Sequence, residues 1–230
     1  MRAIILAAGK GTRFGELTKT IPKSLIPMSG KPIIEYTLEA LPSQINEVFL
    51  VIGHLGEKIK KHVGKKFKNI KINYIKSKNL TGTASAVFEA KKHVGKNKFL
   101  VLYGDDIYSK QELEQLVQFQ WAFGLTKSIP PTDKYLSFML NSKKEITGTR
   151  YPTKKEGRTG ILISTGAYVA DYRLFKYKPV KLSNGEYGLP QTMLLALKKI
   201  PIKGVLMKKW IQINNSEDAK KAAILITKTQ

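Results

Sequence analysis

Three short apolar runs and one segment of alternating apolar and polar residues, 70–75, mark the first half of the chain, and the segments between them have a different hydrophobic spacing. Apolar runs of this length are typical of strands buried in a parallel sheet. The intervening segments place apolar residues three and four positions apart, which predicts amphipathic helices. The predicted strands are residues 3–8, 48–53, 70–75 and 99–103, and the predicted helices are residues 31–41, 56–63 and 83–93. This alternation predicts a Rossmann-like α/β fold of three layers with a mixed, mainly parallel sheet.

The second half has a less regular pattern, which several prolines and glycines interrupt. The predicted elements are helices over 111–123, 189–199 and 216–229 and strands over 135–140 and 161–169. Ser216 is the predicted N-cap of the last helix, since acidic residues follow it in the first turn. The sequence contains no internal repeat and no low-complexity linker, so we expect one domain over residues 1–230.

Two distinctive segments follow buried strands of the predicted sheet. The loop Gly9-Lys10-Gly11-Thr12-Arg13 follows the first strand, and Gly104-Asp105-Asp106 follows the fourth. The carboxyl ends of parallel strands lie at one edge of a sheet, where α/β proteins bind their ligands. We therefore expect both segments to face the same ligand.

The composition is that of a globular protein, with 42% hydrophobic and 25% charged residues. The absence of cysteine excludes disulfides, thiolate metal sites and a cysteine nucleophile. The three histidines share no spacing that suggests a metal site. No stretch approaches the roughly 20 apolar residues of a transmembrane helix, and the first residues do not form a signal peptide. We expect a cytoplasmic protein without membrane association.

The charge balance is unusual, because 40 lysine and arginine residues against 17 acidic residues give a net charge of +23. A field of this sign attracts polyanions and also phosphorylated small molecules. The lysines are spread along the chain, and no basic tail, zinc finger or aromatic–basic RNA motif is present. We expect a solvated, lysine-rich surface and no specific nucleic-acid partner.

The glycine loop does not match the common nucleotide-binding motifs. A Walker A loop requires Gly-Lys followed by Ser or Thr, which this chain never contains. A dinucleotide fingerprint would need glycines at 9, 11 and 14, and position 14 is Phe. The small residues nevertheless let main-chain N–H groups approach phosphate oxygens, and Arg13 and Lys23 add fixed positive charge beside them.

Residues 6–34, LAAGKGTRFGELTKTIPKSLIPMSGKPII, resemble the signature of the nucleotidyltransferase superfamily that makes nucleotide sugars. Its members include glucose-1-phosphate thymidylyl- and uridylyltransferases, mannose-1-phosphate guanylyltransferases and N-acetylglucosamine-1-phosphate uridylyltransferases. The resemblance continues in Gly82-Thr83-Ala84, Tyr103-Gly104-Asp105, Thr165-Gly166, Gly185-Glu186-Tyr187 and residues 210–218. It implies a GT-A-like nucleotidyltransferase fold and an enzyme that transfers the nucleoside monophosphate of an NTP to a sugar 1-phosphate, with release of pyrophosphate.

The resemblance also implies a role for each matching residue. In an NTP-binding half, residues 1–110, the nucleotide would be bound by Leu6, Ala7, Ala8, Gly9, Gly11, Thr12, Arg13, Gly82, Thr83, Tyr103 and Gly104. In a sugar-phosphate-binding half, residues 111–230 with the C-terminal helix, Ser164, Thr165, Gly166 and Glu186 would join Lys23 around the acceptor. Arg13, Lys23 and Asp105 would carry catalysis, with Asp105 as a ligand of Mg²⁺.

The chemistry of this reaction explains the residue types. The attacking group is a phosphate oxygen that is already anionic, so no general base is required. Two anions must instead be brought together in line, which positive side chains and Mg²⁺ allow. Mg²⁺ prefers oxygen ligands, which Asp105 supplies. Many relatives have a second carboxylate ligand two residues after the closing Trp, and here that position is Gln212. Ile213-Asn214-Asn215 resembles the Val-Asn-Asn context of the N-acetylglucosamine-1-phosphate branch, which implies Asn214 as the second ligand, with Gln212 as the alternative.

Three further positions depart from the family pattern. A Gln that reads the base in many relatives is Ser77 here, and an Asn that precedes Thr-Gly is Ser164. The usual Glu-Lys-Pro, whose lysine grips the sugar phosphate, is Arg150-Tyr151-Pro152. Candidate replacements for that lysine are Arg150, Lys154 and Lys155.

These departures leave alternatives open on the acceptor side. A cytidylyltransferase acting on phosphocholine or inositol phosphate would keep the same chemistry, and a non-catalytic regulator would only bind a nucleotide sugar. Little sequence follows Asp218, so we expect the nucleotidyltransferase domain alone, without an appended β-helix acyltransferase domain. The sequence leaves open the base of the NTP and whether the protein forms a homo-oligomer.

Overall fold

The computed structural model of the protein describes residues 1–78, 80–129, 135–153 and 160–227, with side chains up to residue 224. The described strands are β1 (Arg2–Ala7), β2 (Pro27–Met28), β3 (Lys31–Pro32), β4 (Glu47–Ile52), β5 (Lys66–Phe67), β6 (Ile70–Lys76), β7 (Phe99–Tyr103), β8 (Ala122–Ser128), β9 (Ser137–Leu140), β10 (Ile146–Arg150), β11 (Ile161–Ala170), β12 (Val180–Lys181), β13 (Tyr187–Gly188) and β14 (Lys203–Leu206). The described α-helices are α1 (Leu17–Thr20), α2 (Ile33–Glu39), α3 (Gly56–Val63), α4 (Thr83–Glu89), α5 (Lys91–Val94), α6 (Lys110–Leu116), α7 (Leu189–Leu194) and α8 (Ser216–Thr227).

Eight strands form the central sheet, in the order β14-β8-β11-β7-β1-β4-β6-β5. Strand β1 pairs in parallel with β4 and β7, β4 with β6, and β14 with β8. Strand β11 runs antiparallel to both of its neighbours, and the two-residue β5 runs antiparallel to β6. The sheet is mixed and mainly parallel, which confirms the fold class predicted from the apolar runs.

The strand order reverses at β1, and this reversal positions the site. The chain adds β4 and β6 on one side of β1 and then places β7 on the other side. The connections therefore leave in opposite directions at this point, which opens a crevice at the carboxyl ends of β1 and β7.

Helices cover both faces of the sheet, which gives the three predicted layers. In β1, Ile4 and Ile5 are both fully buried and point to opposite faces. Ile5 belongs to one apolar cluster with Leu38 of α2 and Ile59 of α3, whereas Ile4 belongs to another with Val87 of α4. A strand covered on both faces has apolar residues at successive positions, which accounts for the runs in the sequence.

A third apolar cluster fixes the segments around the crevice. Phe14, which directly follows the glycine loop, packs with Met28 of β2 and with Ile213. Ile213 belongs to residues 210–215, the closing segment, which precedes α8. Helix α8 contributes Ala222 to the same cluster. The cluster therefore brings the C-terminal part of the chain beside the glycine loop.

The second half differs from the sequence prediction in several elements. The helix predicted over 111–123 is wrong beyond Leu116, and β8 begins at Ala122 because this segment fills the sheet between β11 and β14. Strands β10 and β14 were not predicted, and the helix predicted over 189–199 ends as an α-helix at Leu194. Ser216 is not the capping residue of α8, since Oδ1 of Asn215 accepts the main-chain N–H of Asp218 at 2.9 Å.

Candidate active site

Two adjoining cavities lie at the carboxyl ends of β1 and β7. Cavity A has a volume of about 240 Å³ and is lined by Leu6, Ala7, Gly9, Gly11, Thr12, Arg13, Lys23, Ser24, Asp105 and Asn214. Cavity B has a volume of about 420 Å³ and is lined by Leu6, Ala8, Gly9, Arg13, Ser77, Leu80, Gly82, Thr83, Ala86, Tyr103, Asp105 and Glu186. Four residues belong to both walls, so one ligand can occupy both cavities.

Most of the residues singled out in the sequence line one of these cavities. Of the described residues that the family resemblance assigned to the site, those that line neither cavity are Gly104, Ser164, Thr165 and Gly166; the alternative candidates Gln212 and Arg150 line neither as well. Gly104 has a supporting position, because its main-chain N–H donates to the Leu6 oxygen at 2.9 Å. A Cβ at Gly104 would lie 2.9 Å from Ile5, so the glycine lets the end of β7 approach β1 closely.

The glycine loop is held by close packing against the segment that follows it. Gly11 has a φ of +65°, and a Cβ at this position would lie 2.9 Å from the Cβ of Lys23. The hydroxyl of Thr18, which is buried, lies 3.1 Å from the main-chain oxygens of Gly11 and Gly15. This local geometry sets Lys23 directly beside the loop.

Lys23 and Asp105 form an ion pair in the wall of cavity A. The Lys23 Nζ donates to Oδ2 of Asp105 at 2.5 Å, and the two side chains are 13% and 34% exposed. Lys23 comes from the segment after the glycine loop, whereas Asp105 follows β7. A bound anion could therefore contact the ammonium group, and a bound cation the carboxylate, at the same point of the cavity.

Arg13 and Asn214 face each other on cavity A. Nη1 of Arg13 donates to Oδ1 of Asn214 at 3.2 Å. The main-chain N–H of Asn214 donates to Oδ2 of Asp218 at 2.9 Å, which ties Asn214 to the first turn of α8. Of the two candidates in the closing segment, Asn214 lines cavity A, and Gln212 is absent from the described walls of A and B.

Asp106 points away from the cavities and is buried behind them, with 3% of its surface exposed. Its Oδ2 accepts the indole N–H of Trp210 at 3.2 Å, and its Oδ1 accepts the main-chain N–H of Ile213 at 3.3 Å. Burial, followed by repulsion from the Asp105 charge, raises the pKa of Asp106 well above its usual value. From the sequence, Asp106 was expected to lie behind Asp105 without contacting the metal directly. Its partners were not predicted, because both contacts join residues more than 100 positions apart.

The hairpin formed by β12 and β13 packs against the start of α4 at the edge of cavity B. The main-chain N–H of Leu189 donates to the Thr83 hydroxyl at 3.0 Å. Gly82 has a φ of +108°, and the backbone of Tyr187 passes so near that a Cβ would lie 2.6 Å from its N and O atoms. These contacts hold the exposed Glu186 at the rim of the cavity.

Replacing Gly82 with alanine should therefore displace the hairpin and deform cavity B. We expect the free energy of unfolding to fall by roughly 2–3 kcal/mol, from backbone strain plus the clash with Tyr187. Urea denaturation measures this change. Gly64→Ala is the matched control, because Gly64 also has a positive φ, of +71°, but no atom of the described residues would lie within 4 Å of a Cβ there. Equal losses in the two variants would contradict the argument from the Tyr187 contact.

Thr165 does not reach either cavity, although the family resemblance implied a contact with the sugar. It has no exposed surface, and its hydroxyl donates to the main-chain oxygen of Gly124 at 3.0 Å. A buried hydroxyl that is already satisfied stabilises the packing of β11 on β8 and is not available to a substrate. Arg150 lies at the exposed end of β10, and Lys154 and Lys155 fall outside the described residues.

Ser164 and Gly166 lie behind the wall of cavity B. The Ser164 hydroxyl donates to the Tyr168 hydroxyl at 2.7 Å, which in turn lies 3.4 Å from the hydroxyl of Tyr103. Gly166 has a φ of +74°, and a Cβ there would lie 2.5 Å from the Tyr103 ring. Both residues thus support Tyr103, which is the group of this cluster that lines the cavity.

Three lining residues were missed in the sequence: Ser24 of cavity A, and Leu80 and Ala86 of cavity B. Ser24 is 3% exposed, and its hydroxyl has no hydrogen-bond partner among the described residues. Two of these residues could have been found from the sequence. Ser24 directly follows Lys23, and Ala86 lies one helical turn after Thr83 and so on the same face of the predicted helix.

Comparison with known proteins decides the family. The family model described as "Nucleotidyl transferase" matches residues 2–129, which is more than half of the chain and includes the glycine loop, Lys23 and Asp105. The chain belongs to the nucleotidyl transferase family.

Several curated proteins are similar to this family member. The "Bifunctional protein GlmU" of Methanococcus maripaludis strain C5 is 32% identical over 84% of the chain and 43% of the relative. The protein of the same name from Methanocaldococcus jannaschii is 31% identical over 89% of the chain and 49% of the relative. The "Probable glucose-1-phosphate cytidylyltransferase" of Bacillus subtilis is 28% identical over 78% of each chain. The chain spans less than half the length of the GlmU relatives.

A solved structure supports the fold of this nucleotidyl transferase. The crystal structure of a UDP-glucose pyrophosphorylase complexed with UDP-glucose superposes with a TM-score of 0.84, covering 100% of this chain and 99% of that one. The sequences are 20% identical, so the likeness concerns the fold. It confirms the predicted nucleotidyltransferase fold.

Within the part of the chain that the structure describes, no helix is long and apolar enough to cross a membrane. In the same ranges, no three His, Cys, Asp or Glu residues are grouped so as to hold a metal ion. The side-chain oxygens on the described wall of cavity A are the Asp105 carboxylate, the Asn214 amide and the hydroxyls of Thr12 and Ser24.

Proposed function

We propose that the chain transfers the nucleoside monophosphate of an NTP to a sugar 1-phosphate and releases pyrophosphate. The observation that carries this proposal is the convergence of Arg13, Lys23, Asp105 and Asn214 on cavity A. Membership of the nucleotidyl transferase family and the names of the similar proteins support it.

Cavity A has the properties of a phosphate site. The main chain of Gly9 and Gly11 lines it without any side chain between the peptide groups and a ligand, and Arg13 and Lys23 contribute two positive charges. Charge-assisted hydrogen bonds from such groups stabilise the β- and γ-phosphates as negative charge moves onto the leaving pyrophosphate. Cavity B is lined by the apolar Leu80 and by the hydroxyl residues Ser77, Thr83 and Tyr103, and we propose that it holds the base and ribose.

Lys23 has the central position for the transfer itself. Its Nζ lies at the junction between the glycine loop and Asp105, where the α-phosphate would meet the incoming sugar phosphate. A positive charge between the two phosphates reduces their electrostatic repulsion, and alignment of the attacking oxygen with the leaving pyrophosphate further lowers the activation free energy. Because the attacking phosphate oxygen is already charged, no proton has to be removed.

The residues on cavity A fit a Mg²⁺ ion. A carboxylate and an amide oxygen are both hard ligands, and in this structure each accepts a hydrogen bond from a cationic side chain, Lys23 and Arg13 respectively. We propose that Asp105 and Asn214 hold Mg²⁺ when the nucleotide is bound. The ion would neutralise phosphate charge beside Lys23.

The proposed division of labour follows the two halves of the chain. Residues 1–110 would bind the NTP, and residues 111–230 would contribute Glu186, at the rim of cavity B, to the acceptor side. Ser164 and Gly166 would act indirectly, because they support Tyr103 of the nucleotide-binding half. The net charge of +23 would raise the encounter rate with both phosphorylated substrates. We propose that this takes place in the cytoplasm.

A substrate screen tests the proposed function. UTP, CTP, GTP, ATP and dTTP are each combined with Mg²⁺ and a panel of sugar 1-phosphates, and pyrophosphate release is measured. Phosphocholine and inositol phosphate are included as acceptors because they distinguish the cytidylyltransferase alternative. Release with a sugar 1-phosphate supports the proposal; tight binding of a nucleotide sugar without turnover for any pair would support a regulator instead.

The second metal ligand is tested by comparing two positions. Asn214→Ala should raise the Mg²⁺ concentration for half-maximal rate by about tenfold, equivalent to about 1.4 kcal/mol, because it removes an oxygen donor from cavity A. Asn214→Asp should lower that concentration, since it adds charge to the donor. Gln212→Ala is the matched control from the same segment and should leave the requirement unchanged. The reverse pattern would assign the ligand to Gln212.

A further inference from the structure

The closing segment is hydrogen-bonded to Asp106 and Ile107, the two residues that follow Asp105. Ile107 and Ile211 form a reciprocal backbone pair, with both N–H···O distances at 3.0 Å. Asp106 adds two hydrogen bonds to the same segment, from the Trp210 indole and from the main chain of Ile213. The residue after Ile213 is Asn214, whose side chain lines cavity A.

Asp105 and Asp106 are neighbours with opposite orientations. Asp105 faces cavity A, where it pairs with Lys23, whereas the carboxylate of Asp106 is buried behind the cavity and bonded to the closing segment. The main-chain oxygen of Asp106 also accepts the hydroxyl of Thr37 at 3.0 Å, and Thr37 is fully buried on α2. The end of β7 is thus fixed to a helix of the core on one side and to the closing segment on the other.

We propose that Asp106 is a positioning residue that sets Asn214 across cavity A from Asp105, and thereby fixes the separation of the two oxygen donors. This inference rests on the proposed function, in which those two donors hold the metal ion. A small change in this separation alters metal affinity, since Mg²⁺ demands near-ideal ligand geometry.

The choice of a carboxylate supports this role. Burying a charged or polar group is costly unless its hydrogen bonds are satisfied, and an apolar residue would serve core packing alone. Asp106 instead presents one oxygen to each of two donors, so both Trp210 and Ile213 are held at defined points. The direction of these bonds, and not only the presence of a buried side chain, locates Asn214.

A compensating pair of substitutions tests the direction of the bonds. In Asp106→Asn, the amide NH₂ must face either the Trp210 indole N–H or the main-chain N–H of Ile213, and two donors then oppose each other. In Asp106→Asn combined with Trp210→Phe, the NH₂ can face the phenyl ring, while the amide oxygen still accepts from Ile213. The double variant should therefore regain what the single variant loses.

The measurement is Mn²⁺ affinity, followed by water-proton relaxation with UTP, CTP, ATP, GTP and dTTP in turn. We expect Asp106→Asn to weaken protein-bound Mn²⁺ by about tenfold and the double variant to recover to within about threefold of the wild type. The Mg²⁺ concentration for half-maximal pyrophosphate release should shift in parallel. Trp210→Phe alone should have a smaller effect than Asp106→Asn.

Asp171→Asn is the matched control. Asp171 is a buried carboxylate, 7% exposed, that binds the main chain and side chain of Arg173 away from the cavities. The Asp171→Asn substitution should lower the melting temperature and leave the Mn²⁺ affinity unchanged. If Asp106→Asn behaved in the same way, or if the double variant bound Mn²⁺ no better than the single one, the positioning role would be overturned. A wild-type protein that bound no Mn²⁺ with any nucleotide would overturn the proposed metal site, and the inference with it.

Discussion

Replacing Asp105 with asparagine should lower the rate of nucleotidyl transfer by about 10³-fold or more, equivalent to about 4 kcal/mol, while leaving the fold intact. Asp105 lines both cavities and is the carboxylate that we assign to Mg²⁺. The amide of asparagine has the same shape but lacks the charge that anchors the ion and balances Lys23. Pyrophosphate release under saturating substrate measures the loss, and circular dichroism checks the fold.

The structure supplies a control for this substitution and a reason to expect the fold to survive. The Asp105 side chain is 34% exposed, and asparagine has nearly the same shape, so we expect the substitution to leave the packing around it unchanged. Glu217→Gln removes a carboxylate from the exposed surface of α8 and should leave the rate unchanged. Turnover by Asp105→Asn at the wild-type rate, or wild-type activity that persists in excess EDTA, would exclude the proposed metal-dependent mechanism.

Replacing Arg13 with alanine should reduce the rate by about 10²-fold, which corresponds to roughly 3 kcal/mol of transition-state stabilisation. The guanidinium group belongs to the walls of both cavities and is held there by Asn214. Its charge would meet the phosphates that leave as pyrophosphate, where negative charge increases during the reaction. Because Arg13 is exposed, its loss should not change the stability of the fold.

Lys10→Ala is the closest available control for Arg13. Lys10 lies in the same glycine loop and carries the same charge, but it is exposed and is not part of either described cavity wall. A similar loss of rate in both variants would show that the loop acts only through its overall charge. Full activity of Arg13→Ala would contradict the assignment of the loop to the NTP phosphates.

The nucleotide side of the fold was accessible from the sequence because its determinants are local. Strands β1, β4 and β7 are buried on both faces and therefore read as continuous apolar runs. The residues that follow β1 and β7 had to meet at one edge of a parallel sheet, which is enough to predict that Arg13 lies near Asp105. That Asp105 and Lys23 form an ion pair required the structure.

The second half was predicted less well, for a physical reason visible in β8. The segment from Leu116 to Leu125 contains apolar and aromatic residues at spacings compatible with either a helix or a buried strand, and short apolar runs do not decide between them. The decision comes from β11 and β14, which pair with β8 from positions far along the chain. The role of Thr165 also depends on a distant contact, because its hydroxyl donates to the main-chain oxygen of Gly124 in β8.

The position of Asn214 also depends on contacts that no local pattern encodes. Spacing alone allowed Gln212 and Asn214 to share a face of an extended segment. The hydrogen bonds of Asp106 to Trp210 and Ile213 turn this segment so that Asn214 enters the wall of cavity A. Hydrogen bonds between residues about 100 positions apart have no local sequence pattern, so the orientation of Asn214 could not be predicted from the sequence.

The place of β11 in the sheet affects how the chain can be divided. The family model ends at residue 129, just after β8, yet β8 does not touch β7 in the sheet. The strand that joins them is β11, from Ile161 to Ala170, and the other edge of β8 is covered by Lys203–Leu206. A fragment cut after residue 129 would lose β11 and β14, so β7 would have one unpaired edge and β8 would have two. We therefore expect that residues 2–129 do not fold independently, and that a fragment made for expression needs the chain through β14.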